Sequence, residues 1–169
     1  MPADFAKENG MSDLQVRRFL STWAPLLVWA AIVWQLGGDS FSATQTSRML
    51  GPLIDWLLPG LRPEDLQFLV ELLRFSAHPT VYGVQALLTW RAIRIQWPNL
   101  ARGPLAGIVL VAGCGLAGAD EIRQATSAVR EGSATGFSLD LVGTVVVIAG
   151  LAAAERWRHR RFFSPGPGE

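Results

Sequence analysis

The chain has a single cysteine, few charged residues and almost no net charge. Only 17% of its 169 residues are Asp, Glu, Lys or Arg, and the formal net charge is +1. No face collects the dense Lys and Arg that a phosphate backbone requires, so no nucleic-acid partner is expected. The lone Cys114 excludes a disulfide framework. Within its apolar stretch this thiol is expected to pack as a small hydrophobic side chain.

Apolar sequence is what the chain has in excess. Half of the residues are hydrophobic, and the seven Trp suit anchoring at a membrane interface. A bilayer core of roughly 30 Å needs about 20 helical residues, so a shorter apolar stretch spans it only if its charged ends reach the interface. A soluble four-helix protein is the alternative, but each of its helices would show a wet face, and residues 26–34 and 105–116 show none. The sequence therefore predicts an all-α polytopic membrane protein with four transmembrane helices. The predicted spans are residues 19–36, 75–90, 104–119 and 137–154.

The basic residues predict the orientation of these spans. Of the fifteen Lys and Arg, three precede span one, three separate spans two and three, and four follow span four. The positive-inside rule then places both termini in the cytoplasm. A cleaved signal peptide is the alternative for the first stretch, but its 18 uncharged residues exceed a signal core and no A-x-A-like site follows. We expect one transmembrane domain, residues 17–161, between flexible cytoplasmic tails, residues 1–16 and 162–169.

The long segment between spans one and two, residues 37–63, is predicted to form a short amphipathic helix in the outer interface. Apolar side chains recur there at the spacing of one helical face. Gly51, Pro52 and Pro59 interrupt the segment too often for it to span the bilayer. A plain loop anchored by Trp56 is the alternative. The apolar positions are Leu50, Leu53, Ile54, Leu57 and Leu58.

Ionisable residues from three of the predicted spans lie at a similar depth. Counting about 1.5 Å per residue from the inner ends puts Arg74, Asp120 and Asp140 roughly 24 to 27 Å up. His78 lies near 20 Å by the same count. A charged side chain costs at least about 2.5 kcal/mol at the centre of a spanning helix, so such residues usually face a bundle interior, a cavity or each other. The sequence therefore predicts one polar site in the outer leaflet.

Polar residues repeat every four positions on two of these helices, which places them on common faces. Arg74, His78 and Tyr82 form one such stripe, and Asp120 with Gln124 forms another. An ion pair of Arg74 with Asp140 or Asp120 would be a purely structural alternative. Solvation at a helix end is a second alternative for three of the acidic and basic candidates, Asp120, Glu121 and Arg130. The predicted ligand-binding residues are Arg74, Tyr82, Asp120, Glu121, Gln124, Arg130 and Asp140, and the candidate catalytic residue is His78.

Several of these residues form an ordered set of motifs. They are Arg74-x3-His78-x3-Tyr82, Asp120-Glu121-Ile122-Arg123-Gln124, Arg130-Glu131-Gly132-Ser133, Asp140, and Ser40-Phe41-Ser42 with Gln45 and Ser47. Over residues 23–151 this order resembles the VanZ-like membrane proteins. The resemblance implies a small polytopic envelope protein related to one that confers low-level resistance to the glycopeptide teicoplanin. Phe75, Arg123 and Thr144 stand where that family usually has Lys, His and Asn.

Two functions of different classes fit these residues. In the first, Arg74, Arg123 and Arg130 hold the anionic headgroup of a membrane lipid or of a lipid-linked wall precursor. In the second, His78 is the general acid or base of a hydrolase or transferase acting on such a lipid, beside Asp120 or Asp140. Whether the protein is an enzyme stays open.

Other classes are less consistent with the sequence. One His on one helix has no recognised metal-ligand spacing, so neither a metal nor another cofactor is expected. A transporter is a weaker third option, because four spans would have to dimerise to enclose a path. The sequence leaves the oligomeric state open, a homo-oligomer included.

Overall fold

The described part of the chain folds into five α-helices, four of which pack around the fifth, a central one. The computed structural model describes residues 13–39, 42–127 and 134–163. All regular secondary structure in these ranges is helical, which confirms the all-α class. Residues 13–16 and 162–163, which the sequence assigned to the two tails, belong to the first and last helices. The helices are α1 (Asp13–Leu36), α2 (Ala43–Leu57), α3 (Pro63–Gln96), α4 (Arg102–Ala125) and α5 (Ala134–Phe163).

Three helices in the described part of the chain are long and apolar enough to cross a membrane. They are α1, α4 and the segment Ala134–Arg158 of α5. Their outer faces carry exposed apolar side chains: Val111 is 72% exposed and Val146 is 63% exposed. In water such faces would be costly, whereas acyl chains solvate them well. The fold therefore has the surface that is typical of an integral membrane protein.

The predicted second span, residues 75–90, lies inside α3 but is not one of these three helices. At 34 residues α3 is long enough, yet its buried face carries the polar side chains of Tyr82, Gln85 and Thr89. The physical reason is its position, since α3 packs against all four other helices. Side chains that face other helices need not be as apolar as those that face lipid. The hydropathy of α3 is accordingly lower than that of the three apolar helices, and four spans are not established by composition.

The segment between α1 and α3 contains a helix, α2, rather than the plain loop that was the alternative. Its Ile54 is buried, and the helix packs on α3. Leu53, Trp56 and Leu57 are exposed on the same helix. Pro52 lies within α2 without ending it.

The crossing of α3 and α5 depends on a glycine. A Cβ on Gly143 would collide with the backbone carbonyl of Pro79. The two helices therefore approach each other at backbone distance, which only glycine permits. Asp140 lies just under one turn before Gly143, and His78 directly precedes Pro79. This crossing brings those two polar side chains together.

Two clusters of apolar side chains pack α1 and α4 against the α3–α5 pair. The larger joins α3, α4 and α5 near the α3–α4 loop, and the smaller joins α1, α3 and α4 through Val33, Tyr82 and Ala117. The indole N–H of Trp29 on α1 also donates to the Val81 carbonyl on α3, at 3.1 Å. Buried members of the larger cluster are Ala86, Trp90, Ile93, Leu105 and Val109.

A candidate ligand-binding cavity

Next to the smaller cluster, α1 to α4 line a cavity of about 200 Å³. It lies where α1 and α4 end and where the first half of α3 passes between them. Its wall is part apolar and part polar, a combination that suits a ligand with an apolar body and a polar head. The apolar part consists of Val33, Leu36, Gly37, Ala77 and Val81, and the polar part of Thr46, Arg74, His78, Tyr82, Asp120 and Gln124.

Five of the residues predicted for the site line this cavity, namely Arg74, His78, Tyr82, Asp120 and Gln124. Asp140 is buried behind His78, and Glu121 is not part of the wall. Arg130 lies outside the described residues. The structure therefore brings together side chains from two of the predicted spans, with a third span contributing through Asp140.

His78 on α3 and Asp140 on α5 form a direct polar contact beside the cavity. The Nδ1 atom of His78 lies 2.9 Å from Oδ1 of Asp140, whose residue is only 3% exposed. An ionised carboxylate accepts but cannot donate, so Nδ1 carries the hydrogen when Asp140 is ionised. Because Nδ1 is engaged by Asp140, Nε2 is the nitrogen that remains for the cavity. A buried carboxylate thus fixes the orientation of the imidazole.

Both carboxylate oxygens of Asp120 accept hydrogen bonds from side chains of its own helix, α4. Its Oδ1 accepts from Nη2 of Arg123 at 2.7 Å, and its Oδ2 accepts from Nε2 of Gln124 at 2.7 Å. The Arg123 guanidinium also lies 4.3 Å from the centroid of the Trp34 ring. Gly37 packs so closely on this pair that a Cβ there would collide with Asp120. Arg123, which the sequence hypothesis assigned to a phosphate, is instead committed to Asp120 and Trp34.

Arg74 has no acidic partner among the described residues, although it lines the cavity. The pair with Asp140 or Asp120 that the sequence allowed is not formed. Asp140 instead contacts the imidazole of His78, and Asp120 accepts a hydrogen bond from the guanidinium of Arg123. Both carboxylates therefore already have a side-chain partner other than Arg74. Arg74 is only partly exposed. In the described structure the cavity therefore carries one guanidinium whose charge no protein carboxylate balances.

Tyr82 is 3% exposed, and its hydroxyl has no hydrogen-bond partner among the described residues. A buried hydroxyl without a partner costs free energy that a bound oxygen atom would recover. Tyr82 lines the cavity, but its hydroxyl oxygen is itself fully buried. A bound oxygen atom can reach this hydroxyl only if neighbouring side chains move.

Sequence reasoning missed the contributions of α1 and α2 to the wall. Val33 and Leu36 come from the end of α1, Gly37 directly follows that helix, and Thr46 comes from the start of α2. The doublet Gly37 and Gly38 directly after span one was the available signal, since adjacent glycines often mark a close backbone approach. No comparable signal marks Thr46.

The chain matches no protein-family model, no curated protein and no solved structure. The description of the protein therefore depends on its own fold and cavity. Over the described residues it is all-helical, with three apolar helices of membrane-spanning length. The ends of two of them, α1 and α4, line a partly polar cavity together with α2 and the central helix α3.

Proposed function

We propose that this is an integral membrane protein of the bacterial cell envelope whose cavity binds an anionic lipid headgroup or a lipid-linked wall precursor. The proposal depends on one observation: Arg74 lines the cavity and has no acidic partner among the described residues. A guanidinium in a region of low dielectric is costly unless an anion balances it. Its planar fork matches phosphate and carboxylate groups. The apolar part of the wall suits the body of a lipid.

In this proposal α3 is the fourth span. Its buried polar side chains, Tyr82, Gln85 and Thr89, face the other helices, so its lower hydropathy does not prevent it from crossing the bilayer. Four spans return both termini to one side, and the basic residues favour the cytoplasm of the inner membrane. Helix α2 then lies in the outer interface, with Leu53, Trp56 and Leu57 directed to lipid. The cavity falls in the outer leaflet, where an envelope precursor is displayed.

The resemblance to VanZ-like proteins supports the same assignment. The motifs that carry it include all five of the predicted residues that line the cavity, together with Asp140. It also suggests the phenotype to examine, which is resistance to glycopeptides of the teicoplanin type. Retention of a precursor in the outer leaflet would alter the availability of the molecule that these antibiotics bind.

Replacing Arg74 tests the proposal. Arg74→Ala is expected to weaken the binding of phosphatidylglycerol roughly tenfold or more, because a charge-assisted hydrogen bond is worth about 1.5 to 3 kcal/mol. Native mass spectrometry of the purified protein, titrated with phosphatidylglycerol and with phosphatidylcholine, measures this loss. The matched control is Arg48→Ala, which removes the same charge from an exposed position of α2. Equal binding by both variants would contradict the proposal.

A hydrolase or transferase with His78 as general acid or base is the second candidate. The contact between His78 and the buried Asp140 favours it specifically, since catalytic imidazoles are commonly oriented by a carboxylate. Under this alternative, Asp140→Asn lowers turnover at least roughly tenfold while lipid binding is retained.

The measurement is release of the headgroup from labelled phosphatidylglycerol, followed by mass spectrometry. Ser76→Ala is the control, because this exposed hydroxyl of α3 bonds only its own helix. If the wild-type protein binds the lipid and releases no product, the catalytic candidate is wrong for this lipid and the binding function stands.

A further inference from the structure

The cavity offers a ligand two polar groups of opposite hydrogen-bonding character on one face of α3. Arg74 presents a guanidinium that only donates, and His78 presents the ring edge that Asp140 does not occupy. The two residues are four positions apart, or about 6 Å along the helix axis. A ligand that satisfies both must therefore carry two different groups a short distance apart.

The character of His78 follows from its partner. In the tautomer in which Nδ1–H donates to an ionised Asp140, a neutral imidazole has no hydrogen on Nε2. That atom is a hydrogen-bond acceptor, and a bare phosphate oxygen, which is also an acceptor, would be repelled by it. A hydroxyl group is the complementary partner. Asp140 acts here as a positioning residue, because it fixes which nitrogen carries the hydrogen.

The charges around the cavity point the same way. Asp120 is balanced by Arg123, and Asp140 is bonded to His78, so among the described residues of the cavity wall Arg74 is the cation left for the ligand. One anionic group and one hydroxyl group on the same short chain match this set. We infer that the cavity selects a phosphodiester that carries a neighbouring hydroxyl, the chemistry of a glycerol phosphate headgroup. The inference rests on the proposed function and adds His78 as its specificity determinant.

Two lipids of equal charge test this selectivity. Phosphatidylglycerol and phosphatidylethanol are both phosphodiesters with one negative charge, but the ethanol headgroup has no hydroxyl. The wild-type protein is expected to bind phosphatidylglycerol roughly three- to tenfold more tightly, the usual range for one neutral hydrogen bond. Native mass spectrometry with both lipids present measures this ratio directly and requires no variant.

Variants then assign the preference to His78. His78→Leu is expected to abolish it, whereas His78→Gln, whose amide oxygen accepts, retains part of it. Equal binding of both lipids by the wild type, with both lost in Arg74→Ala, would overturn the inference and leave the proposed function standing. If neither lipid binds better than phosphatidylcholine, the proposed function fails as well.

Soluble competitors separate a lipid from a free headgroup. Competition by glycerol phosphate but not by inorganic phosphate supports the inference and shows that the headgroup alone is recognised. A lipid preference that neither compound disturbs supports the inference with a membrane lipid as the source. Equal competition by both compounds overturns it, because the hydroxyl would then contribute nothing.

Discussion

Gly143→Ala is expected to lower the free energy of unfolding by roughly 2 to 3 kcal/mol, the cost of overpacking a tight contact. The added Cβ would collide with the backbone carbonyl of Pro79. Backbone cannot rotate away as the tip of a flexible side chain does, so α3 and α5 must separate. The loss outweighs the gain of up to about 1 kcal/mol that alanine brings to a helix interior. Thermal unfolding in detergent measures the change as a lower Tm.

The matched control lies on the same helix. Gly150 has open space where its Cβ would be, so Gly150→Ala is expected to raise stability by about 0.5 to 1 kcal/mol. Opposite signs for the two variants would show that the α3–α5 approach is specific to Gly143. A stabilising Gly143→Ala would mean that the two helices do not cross there. The contact of His78 with Asp140 would then lose its structural basis.

Glu155→Ala is expected to lower the free energy of unfolding by roughly 2 to 3 kcal/mol. Glu155 accepts from Arg94 at 2.7 Å, from Arg102 at 3.2 Å and from the indole of Trp90 at 3.1 Å. It therefore joins the end of α3, the start of α4 and the end of α5. Removing one partner of a partly buried ion pair leaves uncompensated charge, which costs about 3 to 5 kcal/mol when burial is complete. Arg94 and Glu155 are partly exposed, so the expected value is lower.

The exposed pair of Arg62 and Asp65 provides the comparison. It has a similar geometry, at 2.8 Å, but its side chains are 71% and 42% exposed. Solvent screens such pairs, and Asp65→Ala is expected to cost less than about 1 kcal/mol. Unfolding by increasing concentrations of a denaturing detergent would compare the free energies of unfolding of Glu155→Ala and Asp65→Ala. Equal losses of stability in the two variants would show that Glu155 does not stabilise the contact between α3, α4 and α5.

Counting helical rise and the spacing of four predicted one site for five residues that line the cavity, Arg74, His78, Tyr82, Asp120 and Gln124. Rise per residue and the spacing of four are local properties, so Arg74, His78 and Tyr82 could be placed on one face without tertiary information. Pairing could not be predicted in this way, because depth does not specify how each helix is rotated. The sequence allowed Arg74 to pair with Asp140, whereas the structure pairs Asp140 with His78.

Contacts between distant parts of the chain could not be predicted from the sequence. The role of Glu155 has no signal in the sequence, because its partners lie 53 to 65 positions away. Thr46 reaches the cavity only because α2 folds back onto α3. The central helix was predicted as a span from its apolar stretch, but its polar face lowers its hydropathy for a reason that only packing reveals.

The most direct test of the account is the distance between the Arg74 guanidinium and a lipid phosphorus. Solid-state NMR with nitrogen-15-labelled arginine and phosphorus-31 in phosphatidylglycerol bilayers can measure it, and the signal of Arg74 is assigned by its loss in Arg74→Ala. The account predicts a nitrogen-to-phosphorus distance of about 4 Å, as direct hydrogen bonds require. An Arg74 signal that phosphorus does not affect, beside affected signals from surface arginines, would contradict a headgroup-binding cavity.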